Sequence, residues 1–181
     1  SGSDTTMIII TGATGFIGSN IVADLNARGR TDLLLVDDLG TQGKWKNIAK
    51  RRFLDLVDYR ELGQLLPHLK QADAVFHMGA NSSTTSTDGD EILRVNLHAT
   101  MAWWKWCTEH DTPFIYASSA ATYGMPDVPA VTEDTVCKPI NPYGQTKLIG
   151  EWMTANAERA WGLRAVNLRY FNVAGAGWPD L

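Results

Sequence analysis

The sequence is poor in cysteine: Cys107 and Cys137 are the only two among 181 residues, too few for the disulfide framework of a small secreted fold. A reducing, cytoplasmic setting is the expectation. No uninterrupted apolar run approaches the roughly 20 residues that cross a bilayer, and no basic segment precedes an apolar stretch near the start. Neither a membrane span nor a signal peptide is read. Basic residues are outnumbered, 16 Lys and Arg against 20 Asp and Glu, so the formal charge is −4 and the footprint of a nucleic-acid binder is missing. Cys-x-x-Cys and His-Glu-x-x-His are absent, and His68, His98 and His110 have no ligand-like spacing, so no metal site is expected.

What the chain does have is a core: 44% of its residues are hydrophobic, and roughly 70% of the unfolded surface can be buried at this length. Residues 1–5 open Ser-Gly-Ser and are expected to be a tag remnant or a disordered start, with one domain over 6–181. Short apolar runs at 6–11, 32–37, 72–77, 113–117 and 165–170, with a weaker one at 52–54, read as strands. Between them, helical spacing marks 16–28, 59–66, 88–110 and 143–161. Such alternation predicts an α/β fold of the doubly wound, Rossmann type, a parallel sheet with helices on both faces and right-handed crossovers.

Three glycines, Gly12, Gly15 and Gly18, stand three residues apart where the first strand turns into the first helix. The first permits the tight turn, the second lets backbone approach a pyrophosphate, and the third lets the helix pack on the sheet. About 20 positions on come Asp37 and Asp38, acids that can accept the ribose hydroxyls of an adenosine. Like charges oppose a 2′-phosphate there, which favours NAD over NADP. Lys44, with Lys46 and Lys50 behind it, could reach such a phosphate, though the commoner reading is a solvated loop face. Further on, Tyr143 and Lys147 lie four apart on one helix face, so an ammonium can stand beside the phenol and lower its pKa. Ser118 and Ser119 end a strand, on the side where ligands of parallel sheets bind.

These three motifs together resemble the extended short-chain dehydrogenase/reductases, specifically the nucleotide-sugar epimerases. Segments 12–20, 76–80, 82–85 and 116–124 are most similar to the ADP-glyceromanno-heptose 6-epimerase branch, and 141–147 and 169–175 to the UDP-glucose 4-epimerase branch. The resemblance implies a bound nicotinamide cofactor held by Gly12, Gly15, Phe16, Ile17, Gly18, Asp37, Asp38, Asp55, Leu56, Phe76, Gly79, Ala80, Tyr143, Lys147 and Tyr170. In it Asp55 contacts the adenine amine, and Asn96 steadies the helix beside the site. Ser119 holds the reacting hydroxyl, Tyr143 is the acid/base, and Lys147 binds the nicotinamide ribose. Ser83, Thr84 and Asn172 lie near substrate. It also implies a homodimer through helices 88–110 and 143–161, and a smaller carboxy-terminal substrate domain absent from this chain. The expectation is therefore an NAD-binding domain of an epimerase, inactive alone; a complete epimerase and a non-catalytic NAD-binding module are the alternatives.

Two features have plainer readings. His77, at a strand end, reads as a partly buried histidine bonded to backbone. Trp103, Trp104 and Trp106 read as one helix packing on the sheet with one face and on a partner with another.

Overall fold

The computed structural model describes residues 6–83 and 85–175, so the expected start segment 1–5 and Thr84 lie outside the described residues. Apolar runs form six strands, β1 (Met7–Thr11), β2 (Leu33–Val36), β3 (Asp55–Val57), β4 (Ala72–His77), β5 (Phe114–Ser119) and β6 (Ala165–Tyr170). They pair in parallel in the order β3-β2-β1-β4-β5-β6. The order reverses beside β1, which opens a crevice at the carboxyl ends of β1 and β4. Helices α1 (Phe16–Ala27), α2 (Leu62–Leu65), α3 (Gly89–Ile92), α4 (Ala99–Glu109) and α5 (Pro142–Trp161) connect them. Among the described residues no helix is long and apolar enough to cross a membrane.

Strand alternation divides the core in two. Ile8, Ile10, Leu33 and Leu35 point to one face and pack with Val22 of α1 and with Ile48. Ile9, Leu34, Val36 and Val75 point to the other, where Trp103, Trp106 and Cys107 of α4 and Ala157 of α5 cover them. Burying each large apolar side chain contributes about 1.5–3 kcal/mol, so the doubly covered central strands anchor the domain. The edge strand β6 is less covered, and its Val166 is 55% exposed.

Several boundaries differ from the sequence reading. The weak strand expected at 52–54 lies instead at Asp55–Val57, because the ladder pairs Asp55 with Leu34 while the amide of Leu54 donates to the Leu33 carbonyl. The helix expected over 59–66 breaks into a 3₁₀ turn (Tyr59–Glu61), the single turn of α2 and a second 3₁₀ turn (Leu66–His68), where Pro67 has no N–H to continue it. The helix expected over 88–110 contains a π turn, Leu93–His98, between α3 and α4. The last helix starts one residue early, at Pro142, behind an Asn141 cap whose side chain accepts the Gly144 amide at 2.8 Å.

The tryptophans also depart from expectation. All three on α4 are buried within the chain, and Trp104, 8% exposed, stacks on Trp161 with ring centroids 5.8 Å apart. The surplus indoles therefore build the core of this chain, and none of the three presents itself to a partner.

Gly18 packs α1 onto the turn before it: a Cβ there would overlap the Gly12 carbonyl oxygen, part of the backbone, which cannot swing aside. Gly18→Ala is expected to lose about 3 kcal/mol of stability, an overpacking penalty readable as a lowered urea midpoint. An unchanged midpoint would refute the packing assigned to Gly18.

Candidate active site

The site begins where β1 stops. Gly12 has φ +63°, and a Cβ on it would lie 2.7 Å from the Gly79 nitrogen, so the loop after β1 rests directly on the loop after β4. Gly15 is different: its φ is −76°, and an added Cβ would meet only the Gly12 oxygen, at 3.3 Å. It caps α1, which has no side-chain cap and no acid in its first turn. The first amides of α1 and its positive end are thus left for an anion.

Two adjoining cavities, of about 210 and 370 Å³, share Gly12, Asp37, Lys44, Gly79 and Ala80 and so form one cleft. The first extends to Tyr59, Leu62, Glu91 and Val95; the second passes Phe16, Ile17 and Gly18 to Ser118, Ser119, Tyr143, Lys147 and Tyr170.

At the first end, the Asp37 carboxylate is held by four donors. Its Oδ2 accepts from the Thr14 amide at 2.9 Å and from Thr14 Oγ1 at 2.6 Å; its Oδ1 accepts from the Asp38 amide at 2.8 Å and from Lys44 Nζ at 3.3 Å. Lys44 Nζ also lies 2.6 Å from Asp38 Oδ1. Lys44, although its side chain is 34% exposed, is therefore tied to both acids. Burial opposes its charge, but the two carboxylates outweigh burial and hold its pKa above the ordinary lysine value. Two acids and one lysine leave a net negative charge at this end.

At the other end, Ser119 closes β5 and caps a 3₁₀ turn (Ala120–Tyr123), its Oγ accepting the Ala121 amide at 3.1 Å. Its hydroxyl proton remains available to a ligand oxygen. Tyr143 stands in the first turn of α5, and Lys147 follows one turn later. Lys147 is 2% exposed, donates to the Ala117 carbonyl at 2.6 Å, and lies 5.8 Å from the Tyr143 ring centroid. Burial drives its pKa down to about 7.

Of the residues expected at the cofactor, Gly12, Gly15, Phe16, Ile17, Gly18, Asp37, Asp38, Gly79, Ala80, Tyr143, Lys147 and Tyr170 line this cleft. Asp55, Leu56, Phe76 and Asn96 are not on its walls. The Asp55 carboxylate accepts the Leu56 amide at 2.8 Å, Phe76 packs in the α1 core, and Asn96 sits behind the wall, accepting the Asn81 amide at 2.7 Å. Ser83 and Asn172 are likewise off the walls, where Ser82, Phe171 and Val173 stand instead. Thr84 lies outside the described residues. His77 is fully buried and bonds to the hydroxyls of Thr11 and Thr100, not to backbone. Sequence reasoning missed Tyr59, Leu62 and Glu91; the only signal was the Tyr59-to-Leu62 helical spacing just after a strand. Among the described residues no group of His, Cys, Asp and Glu could hold a metal ion.

Residues 8–180 match the family described as NAD dependent epimerase/dehydratase. The chain is 42% identical over 173 residues to ADP-L-glycero-D-manno-heptose-6-epimerase of Alkalilimnicola ehrlichii, covering 93% of this chain and 53% of that protein. Among solved structures it is similar to UDP-glucose 4-epimerase of Brucella ovis in complex with NAD (34% identity, TM-score 0.82, 94% of this chain and 53% of that one). It is also similar to UDP-glucuronic acid 4-epimerase of Bacillus cereus in complex with NAD (30% identity, TM-score 0.81, 97% and 59%). The chain thus spans about half the length of the curated relative it matches.

The buried Lys147 is a stability cost with a definite pH sign. Its pKa is near 7 when folded and 10.5 as its reference value, so the unfolded chain binds the extra proton between those values and stability rises with pH across that window. Lys147→Met should stabilise the fold by about 1–3 kcal/mol at or below pH 7, the gain shrinking as pH approaches 10. Urea melts of both proteins at several pH values check this; a variant less stable at neutral pH would refute it.

Proposed function

The chain belongs to the NAD dependent epimerase/dehydratase family, and from that premise we propose that it is the NAD-binding Rossmann domain of a nucleotide-sugar epimerase. One observation carries the reading: a single cleft joins the glycine cradle and its acids to Ser119, Tyr143 and Lys147. The residues fit the cofactor. No side chain stands at Gly15 between the end of α1 and the cleft, so a pyrophosphate can meet free amides. Asp37 and Asp38 suit the hydroxyls of an adenosine ribose, with Tyr59 and Leu62 giving its base an apolar wall. Asp55, Leu56, Phe76 and Asn96 lie off these walls and are given no direct contact with the cofactor, and Ser83, Thr84 and Asn172 are assigned to the substrate side.

NAD, when bound, supplies a hydride acceptor that returns the hydride within the same turnover. Around it Ser119 donates to the sugar hydroxyl oxygen, and Tyr143 takes that hydroxyl proton as the carbon becomes a ketone. Lys147, buried 5.8 Å from the Tyr143 ring centroid, stands beside that phenol to bind the nicotinamide ribose. Tyr143 gives the proton back when hydride returns to the opposite face, so the reaction is redox-neutral. The substrate class is a sugar linked to ADP or UDP, as in the relatives. Holding its nucleotide half calls on the length that those relatives carry beyond the match, because catalysis depends on remote binding energy. The 181 residues are therefore expected to hold cofactor but to give little turnover of UDP-glucose or ADP-heptose by themselves. Two free cysteines suit the cytoplasm.

Calorimetry tests the cofactor reading. NAD should bind about tenfold more tightly than NADP, since the net negative charge at Asp37, Asp38 and Lys44 opposes a 2′-phosphate. Gly15→Val should abolish binding of both with little change in the melting curve, and tighter NADP binding would overturn the assignment. A homodimer through α4 and α5 is also proposed, with Ile149 and Trp152, the latter 59% exposed, on the outer face of α5. Trp152→Glu should turn a dimer into a folded monomer in sedimentation, and a wild-type chain monomeric at high micromolar concentration would sink that proposal.

A further inference from the structure

In the wall of the first cavity stands a buried group with no part in the chemistry above. His77 has both ring nitrogens engaged: Nδ1 is 2.7 Å from Thr11 Oγ1, and Nε2 is 2.9 Å from Thr100 Oγ1. The hydroxyl of Thr100 donates to the Asn96 carbonyl at 2.8 Å, and a carbonyl can only accept. That spends the one proton of Thr100, so its oxygen must accept from His77 Nε2–H. A neutral imidazole then has Nδ1 as acceptor, and Thr11 O–H donates to it. Thr11 Oγ1 in turn accepts the Gly79 amide at 3.0 Å. Every proton is accounted for in one direction, and burial, with the charge of Lys147 nearby, keeps the ring neutral.

The chain of bonds closes on itself. Asn96, in the π turn, accepts the Asn81 amide at 2.7 Å and donates to the Asn81 carbonyl at 3.0 Å. Gly79 and Asn81 are two residues apart on the loop that floors the cleft. That loop is pinned at one point by Thr11 and at another by Asn96, and His77 joins the two pins. From Asn96 the path continues to Thr146 Oγ1 at 3.4 Å, which donates to the Tyr143 carbonyl at 2.8 Å.

We propose that His77 is a positioning residue: as the neutral Nε2–H tautomer it ties Thr11 to Thr100 and thereby sets the height of the 79–81 floor for the cofactor and, through Asn96, for the turn that carries Tyr143. The proposal rests on the cleft being a dinucleotide site, but it makes claims about the free protein that stand apart from that reading. The bond between Thr100 and His77 is its testable link, because Thr100 is buried and does not line the cleft.

Thr100→Val keeps the shape of the side chain and removes the hydroxyl; Thr100→Ser keeps the hydroxyl. The valine variant should bind NAD about tenfold more weakly, and the serine variant should stay within about twofold of wild type, as expected when a buried hydrogen-bonding group is orphaned or retained. Amide hydrogen exchange in the free protein should be faster at Gly79 and Asn81 in Thr100→Val and near wild type in Thr100→Ser. Nitrogen-15 shifts of labelled His77 should show Nε2 protonated and Nδ1 bare, unchanged between about pH 5 and pH 8. A folded valine variant with wild-type exchange at Gly79 and Asn81 overturns the proposal, as does a His77 carrying its proton on Nδ1. A wild-type protein that fails to bind NAD instead overturns the cofactor reading, and the exchange and tautomer measurements then decide this one separately.

Discussion

The site depends on backbone lying against backbone where Gly12 meets Gly79. A Cβ on Gly12 would sit 2.7 Å from the Gly79 nitrogen and 2.8 Å from its Cα, and the φ of +63° excludes most side chains as well. Contact this close joins the carboxyl ends of β1 and β4 with no side chain between them. The cleft that crosses this junction therefore has a rigid floor made of peptide groups, and what lies in it is met by amides. Gly15 and the uncapped end of α1 extend the same logic by leaving N–H groups where a side chain would otherwise fill the space.

Charge is laid out along the cleft in an order that suits one kind of ligand. Acids stand at one end, the positive helix end in the middle, and a buried lysine at the far end. Hydroxyls, a diphosphate and a ring beside a phenol would meet these in turn. Asp37 is prepared in advance, because four donors hold its carboxylate in place before a ligand arrives. A preorganised acceptor of this kind needs little rearrangement on binding, which is where affinity is usually lost.

Much of this was legible in the sequence, for a physical reason. The glycine triplet, Asp37, Ser119 and the Tyr143 to Lys147 spacing are local patterns, each with a meaning confined to one turn or one helix face. The parallel sheet with helices on both faces followed from the alternation of strands and helices. What stayed hidden depends on contacts that residue spacing alone does not specify. Lys44 looked like a loop lysine until Asp37 and Asp38 were seen to hold it. Trp104 looked like an interface residue, yet Trp161, 57 positions away, covers it. The π turn at Leu93–His98 has no periodic signature, since one extra residue in a helix is invisible until its hydrogen bonds are known.

Lys147 raises the question of what keeps a costly cation in place. It is buried with no carboxylate partner among the described residues, and its hydrogen bond goes to the Ala117 carbonyl, so desolvation is not repaid in full there. The compensation is found along the rest of α5. A Cβ on Gly144 would lie 2.5 Å from the Ala121 oxygen, so the start of the helix is seated on the turn that follows Ser119. Gly150 lies against the Tyr116 ring, which stacks with Phe114 and with His77. One residue on, Glu151 grips Arg169 of β6 through two bonds of 2.9 and 2.8 Å, and Thr154 donates to Asn167 at 3.0 Å. Paired bonds of this geometry, largely shielded from water, are stronger than exposed ion pairs and fix direction as well as distance. A helix fastened in this way cannot rotate to bring its lysine to solvent. The position of Lys147 beside Tyr143 is therefore imposed by the remainder of α5, and the chemistry at one end of the helix depends on the ion pair nearer its middle.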